Sequence, residues 1–365
     1  MRVKAGSKSP YTLVALAVFS LMVFAFAENS KEFQKQPYYK LKMEAAELSE
    51  IAMEAVKQGG AEKGIAIDPE NDPNLTGLIG EQYTLITTDR GYLRSKLLAT
   101  NPNFAAVFVE MFKKAGLKKD DVVCIAFTGS LPGLNISCLA AVQVCELKPV
   151  IITSVGASTW GSNHPEYTWL DMEKYLHDRG IINFYSLAAS IGGGSDNGRG
   201  LSPEGRRLII EAIERNPAVI IHEGSLEANI QRRMELIEEA TAGKPVKAYI
   251  NIGGGLASLG SSQNGKLIPP GLNLNLVNRN FPARGVINFM ADAGIPIIHI
   301  LQVDRLAREY GLSTNIIPVE EVGGGSMYYK QEYSVTITVI LLILLSIVVF
   351  IIIRVDLGYY FNRQK

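Results

Sequence analysis

From about residue 83 to residue 330, short apolar runs rich in β-branched residues alternate with stretches whose apolar positions recur at helical spacing. The runs predict strands at Thr84–Thr87, Val122–Phe127, Val150–Ser154, Phe184–Leu187, Ala218–Ile221, Lys247–Ile252 and Ile297–Ile300. The stretches between them predict helices near Tyr92–Leu98, Asn103–Ala115, Ile136–Cys145, Thr168–Arg179, Pro203–Arg215, Leu226–Thr241, Arg284–Ala293 and Val303–Tyr310. Glycine just past several of these, as at Gly116, Gly180, Gly243, Gly294 and Gly311, supplies the left-handed turn that ends a helix. Asn135 is read as the N-cap after the Val122–Phe127 strand. The alternation implies an α/β fold with a doubly wound, mostly parallel sheet. Upstream, Leu41–Val56 carries an apolar helical stripe expected to pack a membrane-proximal base, and residues 59–82, with Gly59-Gly60, Pro69, Pro73 and Gly80, read as a loop-rich connector.

Two apolar segments at the ends are too continuous for this amphipathic pattern. Residues 11–27 are uncharged and follow Arg2, Lys4 and Lys8. Ala25-Phe26-Ala27 fits a signal-peptide cleavage pattern, but we read an uncleaved anchor, with a cleaved signal peptide as the alternative. Val335–Ile353 has no charge over 19 positions, which at about 1.5 Å per residue approaches the hydrocarbon thickness of a bilayer. Arg354, Arg363 and Lys365 follow it, so the positive-inside rule puts both termini in the cytoplasm and the body outside. The expected order is a cytoplasmic N-terminus (1–10), an anchor (11–27), a membrane-proximal helix and connector (28–82), an extracytoplasmic α/β domain (83–330), a transmembrane helix (335–353) and a cytoplasmic tail (354–365).

Charge narrows the partners. The 365 residues carry 36 Lys+Arg against 36 Asp+Glu, so no net field steers the chain to nucleic acid, and none is expected as a partner. Cys138 and Cys145 lie two helical turns apart, roughly 10 Å along the axis, and Cys124 falls in a buried strand, so the fold must stand on its core rather than on a disulfide framework.

Ligands of a doubly wound sheet bind beyond the carboxyl ends of its strands, and there this sequence concentrates glycine and small polar residues. The candidate ligand-binding residues are Gly129, Ser130, Asn135, Ser158, Gly193, Gly194, Ser195, Asn197, Arg199, Gly254 and Gly255, a rim of backbone and hydroxyl donors for a polar or anionic ligand; plain turns are the alternative. Arg199, Arg206, Arg207, Arg279 and Arg284 are candidate carboxylate clamps, and Trp160 and Trp169 a candidate aromatic wall, with core packing the preferred role for Trp169. The chain has no GxSxG elbow and no evident SxxK pair. Ser130 is therefore the best-placed nucleophile, with His222 as base and Asp196 or Glu223 to orient it, against a satisfied polar rim. His164, His177, His222 and His299 show neither HxH nor HExxH spacing; no metal or cofactor is expected, and His299, inside an apolar run, reads as a buried, hydrogen-bonded histidine.

The stretches GSLPGLN, SVGASTWGSNHPEYTWLDME, IHEGS and NIGGGLASLGSSQNG, set between a short N-terminal anchor and a C-terminal spanning helix, resemble the bacterial poly-γ-glutamate system protein family over nearly the whole chain. The resemblance implies a part in making or exporting poly-γ-glutamate at the bacterial cytoplasmic membrane. Its partners would be the polymer, the lipid bilayer and other membrane components of the synthase. It implies no reaction and no catalytic residues. The leading expectation is an accessory component whose exterior domain binds the anionic polymer. The alternatives are an extracytoplasmic hydrolase or transferase of γ-glutamyl amide bonds, and a structural scaffold of the synthase complex.

Overall fold

Residues 10–277 and 281–354 are described by the computed structural model; Arg2, Lys4, Lys8, Arg279, Arg363 and Lys365 lie outside them. The chain divides into a terminal unit, built from residues up to 36 and from 329 onwards, and a body, Pro37–Tyr328.

The body is organised on seven strands: β1 (Val122–Thr128), β2 (Lys148–Ser154), β3 (Ala188–Ser190), β4 (Val219–Ile221), β5 (Val246–Ile252), β6 (Gly271–Asn273) and β7 (Ile297–Ile300), in spatial order β6-β7-β5-β1-β2-β3-β4. Every neighbouring pair is parallel except β6 with β7. All of β1 is buried because helices cover both faces of the sheet. On one face Cys124, Ala126, Ile152 and Ala188 pack with Ile230, Leu236 and Ile237 of the helix Leu226–Thr241 and with Val286 and Ile287 of Val286–Asp292. On the other, Ala189 packs with Leu170 of Trp169–Asp178 and with Ile209 and Ile213 of Pro203–Glu214. Phe127 there meets Trp169 edge-on, ring centroids 5.5 Å apart. Adjacent residues of one strand thus serve opposite layers, which is why the strands read as unbroken apolar runs.

Four local features depart from the sequence reading. Thr84–Thr87 is not a sheet strand: the backbone N–H of Thr84 donates to Thr87 Oγ1 at 2.8 Å, closing a turn, and Thr87–Asp89 instead pairs with Ala157–Ser158 outside the central sheet. The strand expected at Phe184–Leu187 starts four residues later, as β3. The helix after β1 spans Pro132–Val144, with Pro132 in its first turn, so Asn135 lies inside it and is not the cap; its amide donates to the Thr128 carbonyl at 3.0 Å. The helix Tyr39–Glu62 runs through Gly59-Gly60, where the sequence suggested a loop. A Cβ on Gly59 would fall 2.2 Å from Tyr167 Oη, and that hydroxyl donates to the Val56 carbonyl at 2.8 Å, so the bare helix face admits the tyrosine.

In the terminal unit, Lys31–Lys35 pairs antiparallel with Tyr329–Tyr333, Lys31 opposite Tyr333. The helices Pro10–Asn29 and Val335–Arg354 leave this ribbon from the same end and pack on one another. Tyr333 Oη donates to Glu28 Oε2 at 2.6 Å, and the Lys31 ammonium, paired with Glu28, sits 4.7 Å above the Tyr333 ring. Within the second helix Val335–Ile352 has a mean hydropathy of 3.3 and is long and apolar enough to cross a membrane; the apolar stretch of the first helix, Leu13–Asn29, falls short of that length.

Candidate functional site

Strand order reverses at β1. From β1 the chain steps outwards through β2, β3 and β4, then crosses back to place β5 and β7 on the other side, so the carboxyl ends of β1 and β5 flank the crevice in which doubly wound sheets bind ligands. Thr128 Oγ1, closing β1, donates to the Ile252 carbonyl, closing β5, at 3.3 Å. Gly253 turns over it with φ +95°, and a Cβ there would fall 2.2 Å from Thr128 Oγ1. Gly254 beyond it faces open space and Gly255 lies over Thr128 and Ser154. Gly129 joins the β1 and β2 loops, accepting from Ser162 N and Ser162 Oγ, both at 2.8 Å. Asn135 Oδ1 is buried here with no hydrogen-bond partner.

The constellation Ser130, His222, Asp196 does not assemble. Ser130 follows β1 and His222 follows β4, three strand spacings or roughly 14 Å apart across the sheet. His222 and Glu223 are exposed at the sheet edge. Asp196 is 0% exposed and committed elsewhere: Ser154 Oγ donates to its Oδ1 at 2.9 Å, Ser190 Oγ at 2.8 Å, and Arg233 Nη2 reaches its Oδ2 at 3.1 Å. Arg233, 2% exposed, also donates to Ser154 Oγ at 3.0 Å and Ser190 Oγ at 2.7 Å. This closed cluster ties the ends of β2 and β3 to the helix Leu226–Thr241. It holds the glycine loop in shape: Gly192 and Gly193 precede it at φ +79° and +66°, and Ser195 and Asp196 share the left-handed region. Asn197 donates to the Glu223 carbonyl at 2.7 Å and accepts from Asn229 at 2.8 Å, locking the loop to the end of β4. Gly193, Gly194 and Ser195 stay half-buried at the surface of the loop and Arg199 is exposed.

The other candidates have settled uses. Arg206 donates to the Leu201 carbonyl at 2.7 Å, Arg207 pairs with Glu204 and Glu211, and Arg284 pairs with Asp292 and stacks on Phe289. Trp169 is core and does not form a wall with the half-buried Trp160. His299 is buried beside Asn251, Nδ1 to Nδ2 3.0 Å, and burial pushes it down to about 4. His164 Nδ1 accepts from Glu166 N at 3.3 Å, and His177 stacks edge-on with Tyr185. A cavity of about 300 Å³ beside His177, Tyr185 and Arg215 lies at the amino ends of β3 and β4, away from the rim.

A second polar centre contains a residue the motif search passed over. Lys96, on the short helix Leu93–Leu98, is 4% exposed, and its Nζ lies against the Ser130 carbonyl and 2.8 Å from Ser158 Oγ. Ser158 N in turn donates to Ser130 Oγ at 3.1 Å. Among the described residues no carboxylate pairs with Lys96, and burial without a counter-charge pushes it down to about 7. Ser130 and Ser158 are half-buried and Lys96 is buried. Gly91 covers it closely: a Cβ there would lie 3.0 Å from both Ser158 Oγ and Lys96 Cε.

No protein-family model, curated protein or solved structure matches this chain. The site must be read from its own chemistry. A carbonyl can only accept, so one amine N–H points to Ser130, and an uncharged amine has a lone pair left for the Ser158 hydroxyl proton. The rim therefore offers two different devices: a closed Arg233–Asp196 cluster that shapes loops, and an unpaired Lys96 that can take a proton.

Proposed function

We propose that the chain is a membrane-tethered component of a bacterial poly-γ-glutamate synthesis and export system, with its α/β body on the outer side of the cytoplasmic membrane handling the polymer. The observation that carries the tether is the terminal unit, in which Val335–Ile352 has spanning length and hydropathy and both terminal helices leave one end of the same ribbon. Such a hairpin sends both termini to one side, in keeping with basic residues at both ends of the sequence. The polymer enters through the family resemblance. In support, its quoted stretches fall beyond β1, β2, β4 and β5, on one edge of one sheet. Backbone donors in glycine turns and the exposed Arg199 suit a ligand with a carboxylate on every residue.

The test is deletion and complementation in a polymer-producing bacterium that carries the chain, with membrane fractionation and protease accessibility of spheroplasts. The expected result is a carbonate-resistant membrane protein whose body is digested from outside and whose loss lowers polymer yield or chain length. Recovery in the soluble fraction would end the tether reading, and unchanged polymer would end the polymer reading.

A further inference from the structure

We propose that Ser158 is an acyl-transfer nucleophile with Lys96 as its general base, making the body a serine hydrolase or acyltransferase of amide or ester carbonyls. The inference goes beyond the tether and polymer reading and does not rest on it. Three features of the group support it. The Nζ to Oγ distance of 2.8 Å is hydrogen-bond contact, the geometry a base needs to accept the hydroxyl proton as attack begins. The lysine is held on two sides, by the Ser130 carbonyl and by the serine it would activate, while Ser158 itself is fixed through its backbone N–H on Ser130 Oγ. Ser130 is thus a positioning residue that orients both partners. Finally, the group lies beside the N-terminus of the 13-residue helix Pro132–Val144, whose first-turn N–H groups lack helical acceptors and whose positive end favours an alkoxide over an ammonium.

The reaction balances with water or an amine as the only co-reactant. Ser158 Oγ attacks the carbonyl carbon as its proton passes to Lys96 Nζ. The tetrahedral intermediate collapses, the carbon–nitrogen or carbon–oxygen bond breaks, and the leaving group takes that proton from Lys96. Water then attacks the acyl-serine while Lys96 again accepts a proton, releasing the acid and restoring both residues; an amine in place of water gives transfer. Lys96 is the base in the form that burial makes available near neutrality.

The experiment uses the full chain in detergent micelles and a biotinylated fluorophosphonate, with the site of addition read by peptide mass spectrometry. We expect the adduct on Ser158, at a rate that rises with pH through a midpoint near 7. Lys96→Met should slow labelling at least 100-fold with the chain still folded by circular dichroism, Ser158→Ala should abolish it, and Ser326→Ala, remote from the site, should leave it unchanged. An adduct on another serine, no adduct in the wild type at pH 8, or equal labelling of Lys96→Met would each overturn the proposal. If Ser158→Ala fails to fold, the position of the wild-type adduct and the Lys96→Met rate still decide it. Hydrolysis of γ-linked oligoglutamate, assayed separately, bears on the polymer reading alone.

Discussion

Replacing Lys96 by Met should make the protein more stable at neutral pH and should remove a rise in stability that the wild type shows on the alkaline side. Lys96 falls from 10.5 to about 7 because its ammonium is desolvated with no carboxylate beside it. In the unfolded chain the amine stays protonated until about pH 10.4. Between the two values the unfolded state binds the extra proton, so stability increases with pH across that window and is lost as pH falls towards 7. The whole interval corresponds to about 5 kcal/mol, of which about 2 kcal/mol should appear between pH 7 and 9. Methionine fills similar volume without a charge, so it takes the gain outright and lacks the rise, and its stability advantage over wild type shrinks by about 2 kcal/mol from pH 7 to 9. The assay is urea unfolding of wild type and variant in the same detergent at half-unit steps from pH 7 to 9, read as the difference between them. The difference cancels the buried cysteines and tyrosines, whose raised values act on both proteins alike. Parallel profiles would mean that Lys96 stays charged in the fold, and would remove its capacity to act as a base.

Glu173 should give the opposite trend at lower pH: it is fully buried, accepts from Ser186 N at 2.6 Å, and burial raises it from 4.5 to about 7, so stability present below pH 4.5 is lost as pH climbs to 7. Glu173→Gln should flatten that slope, worth roughly 3 kcal/mol, in unfolding titrations from pH 4.5 to 7. Breaking the Asp196–Arg233 pair from one side, with Asp196→Ala or Arg233→Met, should cost roughly 3–5 kcal/mol by leaving a buried charge unpaired, while the double replacement costs less than the two together; additive losses in chemical denaturation would show that the pair is not coupled. Gly91→Ala would press a methyl to 2.9 Å from the Thr159 carbonyl and 3.0 Å from Ser158 Oγ, and should both lower the melting temperature and cut fluorophosphonate labelling by at least about tenfold in protein that circular dichroism shows to be folded.

The layered sheet was legible because β1, β2, β5 and β7 are buried apolar runs, and parallel strands covered on both faces have no other way to look. The parts that were not legible are those in which a packing partner or a competing helix start overrides the local pattern. Gly59-Gly60 reads as a break until Tyr167 arrives to pack on it, and Asn135 reads as a cap until Pro132 opens the helix a turn earlier. The edge strand β6 is Gly-Leu-Asn, three residues with little strand propensity, and exists because β7 offers it an open edge. The glycine-bearing stretches of the rim form loops beyond the strands, since glycine marks turns whatever they hold, whereas Asn135 lies inside a helix. The pairing of Ser130 with His222 and Asp196 failed because strand order could not be read from the chain.

Both buried cations at the rim carry a sequence signature that charge patterning alone cannot interpret. Arg233 sits three residues after Ile230 and four before Ile237, and Lys96 three after Leu93 and three before Ala99, so each is a charge on an apolar helical stripe. Both are buried, and what separates them is whether the fold brings an anion. Asp196, on a loop after another strand, gives Arg233 a counter-charge and two serine hydroxyls to donate to, and the cluster becomes a fixed joint. Lys96 meets a carbonyl and a hydroxyl, neither of which can stabilise the buried charge as a carboxylate would, so burial pushes it down to about 7 and brings the neutral amine within reach near neutrality. A guanidinium could not have made that exchange, because it does not give up its proton in a protein. The choice of lysine at position 96 and arginine at position 233 therefore matches the difference between a site that moves protons and one that holds loops.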